Sequence, residues 1–338
     1  MTQIVLGLLM CAAAVACLVT WLSLRAGVLD MPGKRSSHTQ ATPRAGGLGL
    51  VAGLGAALLL AEFLQAPARD VAAIVCAAGL FAAIGFVDDL LTVPTRLKFA
   101  LFLAICVGLV VAIGPVTRLA LTQDIGHDLP VWLGILGSAL FIFVVVNATN
   151  FMDGSDGMLV AVMLPASAGL AVAGLVAGSG NTTVIGLALC GALIGFAVFN
   201  RPPAKIFAGD VGSLLVGAAY AGGALAMAGK GFSGSLWLAP LFVLIFIADV
   251  LLTLIRRLRH GRFSLQAHRE HAYQRLIQAE WSHGQVALAY GAITSAIVLT
   301  GLGAAQGPDG LVPVVFVVWL VVLCALYAGV TRRYRDIG

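Results

Sequence analysis

Apolar runs near the ~20 residues needed to cross the hydrocarbon of a bilayer recur eleven times in this sequence. They lie at about 3–24, 46–66, 70–87, 98–115, 130–147, 158–178, 182–199, 212–229, 235–255, 285–305 and 311–330. In hydrocarbon the backbone must satisfy its own hydrogen bonds, which leaves helices and closed barrels. Barrel strands alternate apolar and polar residues over about ten positions, whereas these runs are continuous. The predicted fold is therefore all-α, a polytopic membrane protein of eleven transmembrane helices. Composition agrees, with 10% charged residues against about 25% in soluble domains. No internal repeat, low-complexity tract or soluble domain stands out, so residues 1–338 read as a single transmembrane domain. Cys11, Cys17, Cys76, Cys106, Cys190 and Cys324 all fall in apolar runs without metal-site spacing, which points to packing.

The loops assign the orientation. Seventeen of the twenty Lys and Arg residues fall in alternate loops and the C-terminal tail, leaving Arg69, Arg118 and Lys230 opposite. The positive-inside rule makes that face cytoplasmic, with the N-terminus periplasmic and the C-terminus cytoplasmic. No basic residue precedes Arg25, so the first run reads as a retained span and not a cleaved signal. The same asymmetry accounts for the net charge of +5 without nucleic acid. The longest extramembrane piece, 256–284, is basic and lies on the cytoplasmic side.

Polar clusters gather on this face. The stretch Asn147-Ala-Thr-Asn150-Phe-Met-Asp153-Gly-Ser-Asp156-Gly157 sits between two apolar runs, where uncompensated ionisable groups are costly. It lacks the spacing and terminal Glu of a calcium-binding EF-hand. Asp88 and Asp89 end another run, opposing each other and the helix dipole, with Lys98 shortly after. Asp210 lies between glycines at the start of the run from Leu214. The first loop carries Asp30, Lys34, Arg35 and His38, then Pro43-Arg44-Ala-Gly46-Gly47; Arg44 beside free helix N–H groups suits an anion. His268 and His271 are three apart around Arg269 and share a helix face; phosphate binding suits them better than zinc. His127 and His283 read as incidental. Asp249 is the one acid well inside a run.

Carboxylate and amide oxygens suit Mg²⁺, which bridges protein to substrate phosphates, and the basic groups can neutralise phosphate oxygens. A site at the lipid boundary implies one water-soluble and one lipid substrate. These pieces point to metal-assisted phosphoryl-type transfer onto a lipid. A carrier is the first rival, although carriers place polar groups near the midplane. A non-catalytic polyprenyl-phosphate-binding partner of a polysaccharide assembly complex is the second.

Five motifs in order, from Asp30 to Arg275, resemble the polyprenyl-phosphate N-acetylhexosamine-1-phosphate transferases. They are Asp30-x-Pro-x-x-Arg-x-x-His with Pro-Arg-x-Gly-Gly, Phe-x-Asp-Asp with Lys98, Asn-x-x-Asn-x-x-Asp-Gly-x-Asp-Gly, Phe-x-Gly-Asp-x-Gly-Ser, and His-x-x-His. The resemblance implies that UDP-N-acetylhexosamine and undecaprenyl phosphate meet at the cytoplasmic face of the bacterial inner membrane, with Mg²⁺, or Mn²⁺ in its place, as cofactor. A homodimer is compatible with it.

By the same resemblance, Asp210 and Asn150 match metal contacts. Asp88 matches the residue that deprotonates the lipid phosphate, with Asp89 supporting it. Asp153 and Asp156 match the nucleotide-binding region, and His268, Arg269 and His271 the loop on diphosphate and sugar. Arg44, Lys98 and Asn147 stand with the substrate-binding residues. The phospho-MurNAc-pentapeptide translocase branch carries adjacent histidines where this chain has His268-Arg-Glu-His271. That departure is similar to the O-antigen branch, which uses N-acetyl-6-deoxyhexosamines such as FucNAc or QuiNAc, and leaves GlcNAc open.

Overall fold

The computed structural model describes residues 2–26, 29–30, 42–43, 45–64, 69–91, 93–261 and 270–334. Every apolar run is helical: α1 (Thr2–Ala26), α2 (Gly47–Phe63), α3 (Arg69–Leu91), α4 (Thr95–Ile113), α5 (Val131–Met152), α6 (Met158–Val176), α7 (Gly180–Asn200), α8 (Gly209–Met227), the pair α9 (Ser235–Leu241) and α10 (Leu244–Arg259), then α12 (His283–Ala305) and α13 (Leu311–Arg333). A short helix, α11 (Ala272–Gln278), lies between α10 and α12. Among the described residues nine helices are long and apolar enough to span a membrane unaided, and the bent pair makes ten. The remaining run, α2, is 17 residues long, close to the usual lower limit of about 17 for a span.

Two departures from the sequence reading have local causes. The ninth run is two helices meeting at 63°. Pro240 lies inside α9, where it removes a backbone donor and crowds the preceding turn. The loop at 115–130 carries a small antiparallel hairpin, β3 (Arg118–Ala120) and β4 (Gly126–Asp128), pairing Arg118 with Asp128 and Ala120 with Gly126. Its turn is fastened from outside, because Asp309 accepts the Gln123 N–H at 2.6 Å and the Ser233 hydroxyl. His127 is exposed on this hairpin. A two-residue bridge, β1 (Leu29–Asp30) with β2 (Thr42–Pro43), closes the first loop.

The centre of the bundle is α8, in which every residue from Val211 to Met227 is buried. Between helices in a membrane, association rests on packing and hydrogen bonds, and small residues let backbones approach. The sequence of α8 is rich in Gly and Ala, and its neighbours answer in kind. A Cβ at Gly47 of α2 would lie 2.4 Å from the Ala208 carbonyl and 2.5 Å from the Gly212 nitrogen. One at Gly85 of α3 would lie 2.7 Å from the carbonyl carbon and oxygen of Asp210. These glycines bring α2 and α3 onto the first turn of α8.

Gly85→Ala is expected to lower the thermal midpoint in detergent by an overpacking cost of about 1–3 kcal/mol. Gly79→Ala, in the same helix, puts its Cβ where nothing lies within 4 Å and should leave the midpoint in place. Equal midpoints for the two variants would contradict the seating of α3 on α8.

Candidate functional site

Four helix ends converge at one end of the bundle. Asp88 lies in the last turn of α3, Lys98 in the first turn of α4, Asn150 in the last turn of α5 and Asp210 in the first turn of α8. Lys98 Nζ donates to Asp88 Oδ2 at 2.7 Å and to Asp210 Oδ2 at 2.6 Å. The second oxygens are held as well: Val93 N–H donates to Asp88 Oδ1 at 2.7 Å, and Asn150 Nδ2 to Asp210 Oδ1 at 2.9 Å. Asn150 Nδ2 also reaches Ser213 Oγ at 2.9 Å.

The Lys98 side chain is 14% exposed and that of Asp210 27%, so the ion pairs are partly desolvated and still open to solvent. Asp210 benefits from the positive end of α8, whereas Asp88 opposes the negative end of α3. Lys98 offsets that opposition at Asp88. Two carboxylates around one ammonium leave a formal surplus of one negative charge.

The Asn147–Gly157 stretch divides differently from the loop suggested by sequence. Helix α5 continues to Met152, so Asn147 and Asn150 are helical and three residues apart. Asn147 is buried and donates to the Phe143 carbonyl at 2.7 Å, inside its own helix. Asp153 caps the end of α5. Asp156 Oδ2 accepts the Ala204 N–H at 2.9 Å, which fastens the loop before α8. His283 Nδ1 lies 3.1 Å from Ser155 Oγ and accepts the Asp156 N–H at 3.2 Å. His283 is therefore not incidental: it ties the start of α12 to this turn. Gly157, with φ at +73°, leads into α6 in a conformation that glycine adopts without strain.

A second polar centre surrounds Asp249, whose side chain is 4% exposed. Its carboxylate accepts from Tyr290 Oη at 2.7 Å, Ala272 N–H at 2.9 Å, Thr253 Oγ1 at 3.3 Å and Tyr273 N–H at 3.4 Å. His271 Nδ1 lies 3.3 Å away. These contacts hold α11 against α10 and α12. Tyr273 then donates from its hydroxyl to the Phe151 carbonyl at 3.2 Å. Burial, with Asp249 and Asp153 nearby, pushes the Tyr273 phenol above its ordinary pKa, so it stays a neutral donor. Gly154 leaves room for it, since a Cβ there would sit 2.1 Å from the hydroxyl oxygen.

The structure thus brings Asp88, Lys98, Asn150 and Asp210 together and seats Asp153 and Asp156 in the adjoining turn. Asp89 is exposed, about 100° around α3 from Asp88 as helix geometry requires. His271 is turned inward toward Asp249 with 5% of its side chain exposed, which differs from a histidine presented to a diphosphate. Arg44, His268 and Arg269 lie outside the described residues. The glycines after Arg44 are placed: Gly46 N–H donates to the Phe207 carbonyl at 3.0 Å. Their close approach is to the chain just ahead of Asp210. Tyr273 and Tyr290 escaped the sequence reading because each is a single aromatic in an ordinary context; Asp249, an acid inside an apolar run, was the available signal.

Among the described residues no three His, Cys, Asp or Glu side chains converge as a metal site. The cluster nonetheless includes two carboxylates and an amide, whose oxygens suit a hard cation that completes its shell with water and substrate. Asn150 here turns its Nδ2 to Asp210, so its oxygen serves a cation only after the amide rotates. Its surplus negative charge fits one too, with Lys98 between the two carboxylates.

A model of glycosyl transferase family 4 matches residues 71–228, the segment that carries all four residues of the cluster. The chain is 32% identical over 297 residues to the decaprenyl-phosphate N-acetylglucosaminephosphotransferase of Mycolicibacterium smegmatis, covering 79% of this chain and 73% of that protein. It is 28% identical over 274 residues to a probable undecaprenyl-phosphate N-acetylglucosaminyl 1-phosphate transferase of Bacillus subtilis, covering 79% and 74%. A phospho-N-acetylmuramoyl-pentapeptide-transferase of Carboxydothermus hydrogenoformans is 30% identical over 239 residues, covering 65% and 72%. With likeness of this extent running through the helices that build the cluster, the chain belongs to glycosyl transferase family 4.

Proposed function

We propose that this enzyme transfers N-acetylhexosamine 1-phosphate from a UDP-sugar to undecaprenyl phosphate at the cytoplasmic face of the bacterial inner membrane, starting a lipid-linked O-antigen or related surface polysaccharide. The observation that carries the reading is the Asp88–Lys98–Asp210 arrangement at the bundle end, in a chain whose relatives are named for polyprenyl-phosphate sugar phosphotransfer. The orientation rests on the basic residues of the alternate loops. Those two relatives are named for N-acetylglucosamine, which supports GlcNAc as the sugar. The His268-Arg-Glu-His271 departure supports a 6-deoxy relative, FucNAc or QuiNAc.

An oxygen of the lipid phosphate attacks the β-phosphorus of the UDP-sugar. A P–O bond forms there, the bond from the β-phosphorus to the oxygen bridging the α-phosphorus breaks, and UMP leaves with that oxygen. The product is a lipid-diphosphate-sugar. Asp88 takes the proton of the lipid phosphate, and Lys98 keeps its carboxylate charged until then. Asp210 and Asn150 would hold Mg²⁺, the amide through its oxygen; bound there, the ion supplies positive charge to the diphosphate as negative charge develops on the leaving phosphate. Asp153 sits at the head of the turn braced by Asp156 and Tyr273 and takes hydrogen bonds from the uridine nucleotide.

Asp249, the acid embedded in a span, gives a carrier little to use, because four donors and His271 Nδ1 already surround its carboxylate.

Purified protein offered undecaprenyl phosphate, Mg²⁺ and a panel of UDP-N-acetylhexosamines is expected to release UMP with GlcNAc or a 6-deoxy relative. Silence across the panel, with uptake of a sugar nucleotide into proteoliposomes, would favour the carrier. Chelation should stop release and added Mg²⁺ restore it. Asp210→Asn and Lys98→Met are each expected to lower kcat about 10²–10³-fold, the scale of losing one preorganised electrostatic group; turnover near wild type in Asp210→Asn would sink the metal assignment. Asp249→Asn keeps the side-chain shape but removes its charge, leaving donors poorly matched. It should cost roughly 3–5 kcal/mol of stability, as when one partner of a buried pair is removed, and an unchanged midpoint in detergent would refute the anchor.

A further inference from the structure

On the far side of the Asp156 turn, α6, the end of α7 and the start of α12 enclose a groove of about 490 Å³. Val160 and Leu164 form one wall, and Ala287 and Ala292 the other. Along α12 the lining runs from Gly284 to Ser295, about 16 Å at 1.5 Å per residue. Leu288, which also lines it, is 73% exposed, so the groove opens sideways onto the apolar surface of the bundle. Among the described residues Arg201 is the single charged one in the lining and stands with Pro202, Gly157 and Gly284 at its head. The first N–H groups of α12 also belong to that head and add the positive end of a helix dipole.

An apolar slot that opens to hydrocarbon and ends at an arginine suits one kind of molecule, a lipid whose chain fills the slot and whose phosphate meets the guanidinium. Basic pockets between membrane helices take anionic head groups in this way, and Arg matches phosphate with paired N–H donors. We propose that this groove is a binding site for an anionic bilayer phospholipid. The reacting lipid is a poorer fit. None of Asp88, Lys98, Asn150 and Asp210 lines the groove, so a phosphate beside Arg201 is not presented to the carboxylates.

The position also gives the lipid something to do. Three segments meet at the groove head: Gly157 after Asp156, Arg201 and Pro202 ahead of Ala204, and Gly284 after His283. The same segments are joined on the inner side by the bond from Ala204 N–H to Asp156 and the contacts of His283. A lipid seated on all three braces the turn that carries Asp153, so anionic lipid stabilises the folded site. The inference stands apart from the transferase reading, since it concerns binding and stability and not turnover.

The test uses full-length protein in neutral detergent with dioleoyl phosphatidylglycerol or dioleoyl phosphatidylcholine, which share tails and differ in charge. Phosphatidylglycerol is expected to raise the thermal midpoint by roughly 1–2 °C more than phosphatidylcholine, the scale of about 1 kcal/mol in a chain of 338 residues. Arg201→Gln should remove that difference. Ala292→Phe, which fills the slot at an exposed position, should remove the retained lipid seen by native mass spectrometry while Arg201 is intact. Equal shifts from the two lipids in wild type would overturn the proposal, as would an undiminished phosphatidylglycerol response in Arg201→Gln. Displacement of bound phosphatidylglycerol by equimolar undecaprenyl phosphate would overturn the bilayer-lipid assignment in favour of the acceptor. Should Arg201→Gln fail to fold, the wild-type lipid comparison and Ala292→Phe decide the matter.

Discussion

A single ammonium held between two carboxylates is the interaction on which this molecule turns. Removing ions from water costs several kcal/mol each unless geometry and hydrogen bonds compensate. Around Lys98 the compensation is nearly complete: each carboxylate has one oxygen on the ammonium and the other on an N–H group. Such an arrangement demands that the ends of α3, α4, α5 and α8 be placed to within a few tenths of an ångström. Gly85 seats α3 on the first turn of α8, and Gly217 of α8 lets Val146 and Thr149 of α5 approach, so the small residues of the helix interfaces and the charged residues of the site form one design. A larger side chain at either glycine moves the carboxylates as surely as a substitution of the carboxylates themselves.

The bundle also explains why the polar residues can be so few. With α8 buried from Val211 to Met227, its half-buried first turn is where the ends of α3 and α5, the start of α4 and solvent meet. Asp210 gains from the dipole there and Asp88 does not. The two acids therefore differ electrostatically although they share a cation. That inequality suits a site in which one carboxylate holds charge in place and the other exchanges a proton.

Much of this was legible in the sequence. Run length and continuity gave the helices, and the polar stretches that interrupt them gave Asp88, Lys98, Asn150 and Asp210, because charged residues at an apolar boundary need a reason to be there. What escaped was pairing across distance. Nothing along the chain says that Lys98 reaches Asp88 and Asp210 together, since that follows from how α3 and α4 fold back beside α8. One helix end also differs: α5 runs past 147 through Asn150 to Met152, because the helix continues through polar residues that a hydropathy boundary excludes. His283 looked incidental because its partners, Ser155 and Asp156, are more than a hundred residues away.

The acids divide by how their oxygens are satisfied, and that division is more informative than their position in the sequence. Asp249 and Asp156 accept backbone N–H groups from other segments, bonds that fix where those segments run. Asp210 faces only side chains in the contacts described, and side chains can move aside for a ligand where a backbone segment cannot. Asp88 is intermediate, with one oxygen on the Val93 N–H and the other on Lys98; it is tethered on one side and exchangeable on the other. A group that must take a proton without leaving its place needs that combination. The carboxylates bound to distant backbone hold the scaffold, and in the proposed reaction the chemistry falls to the pair that shares the Lys98 ammonium.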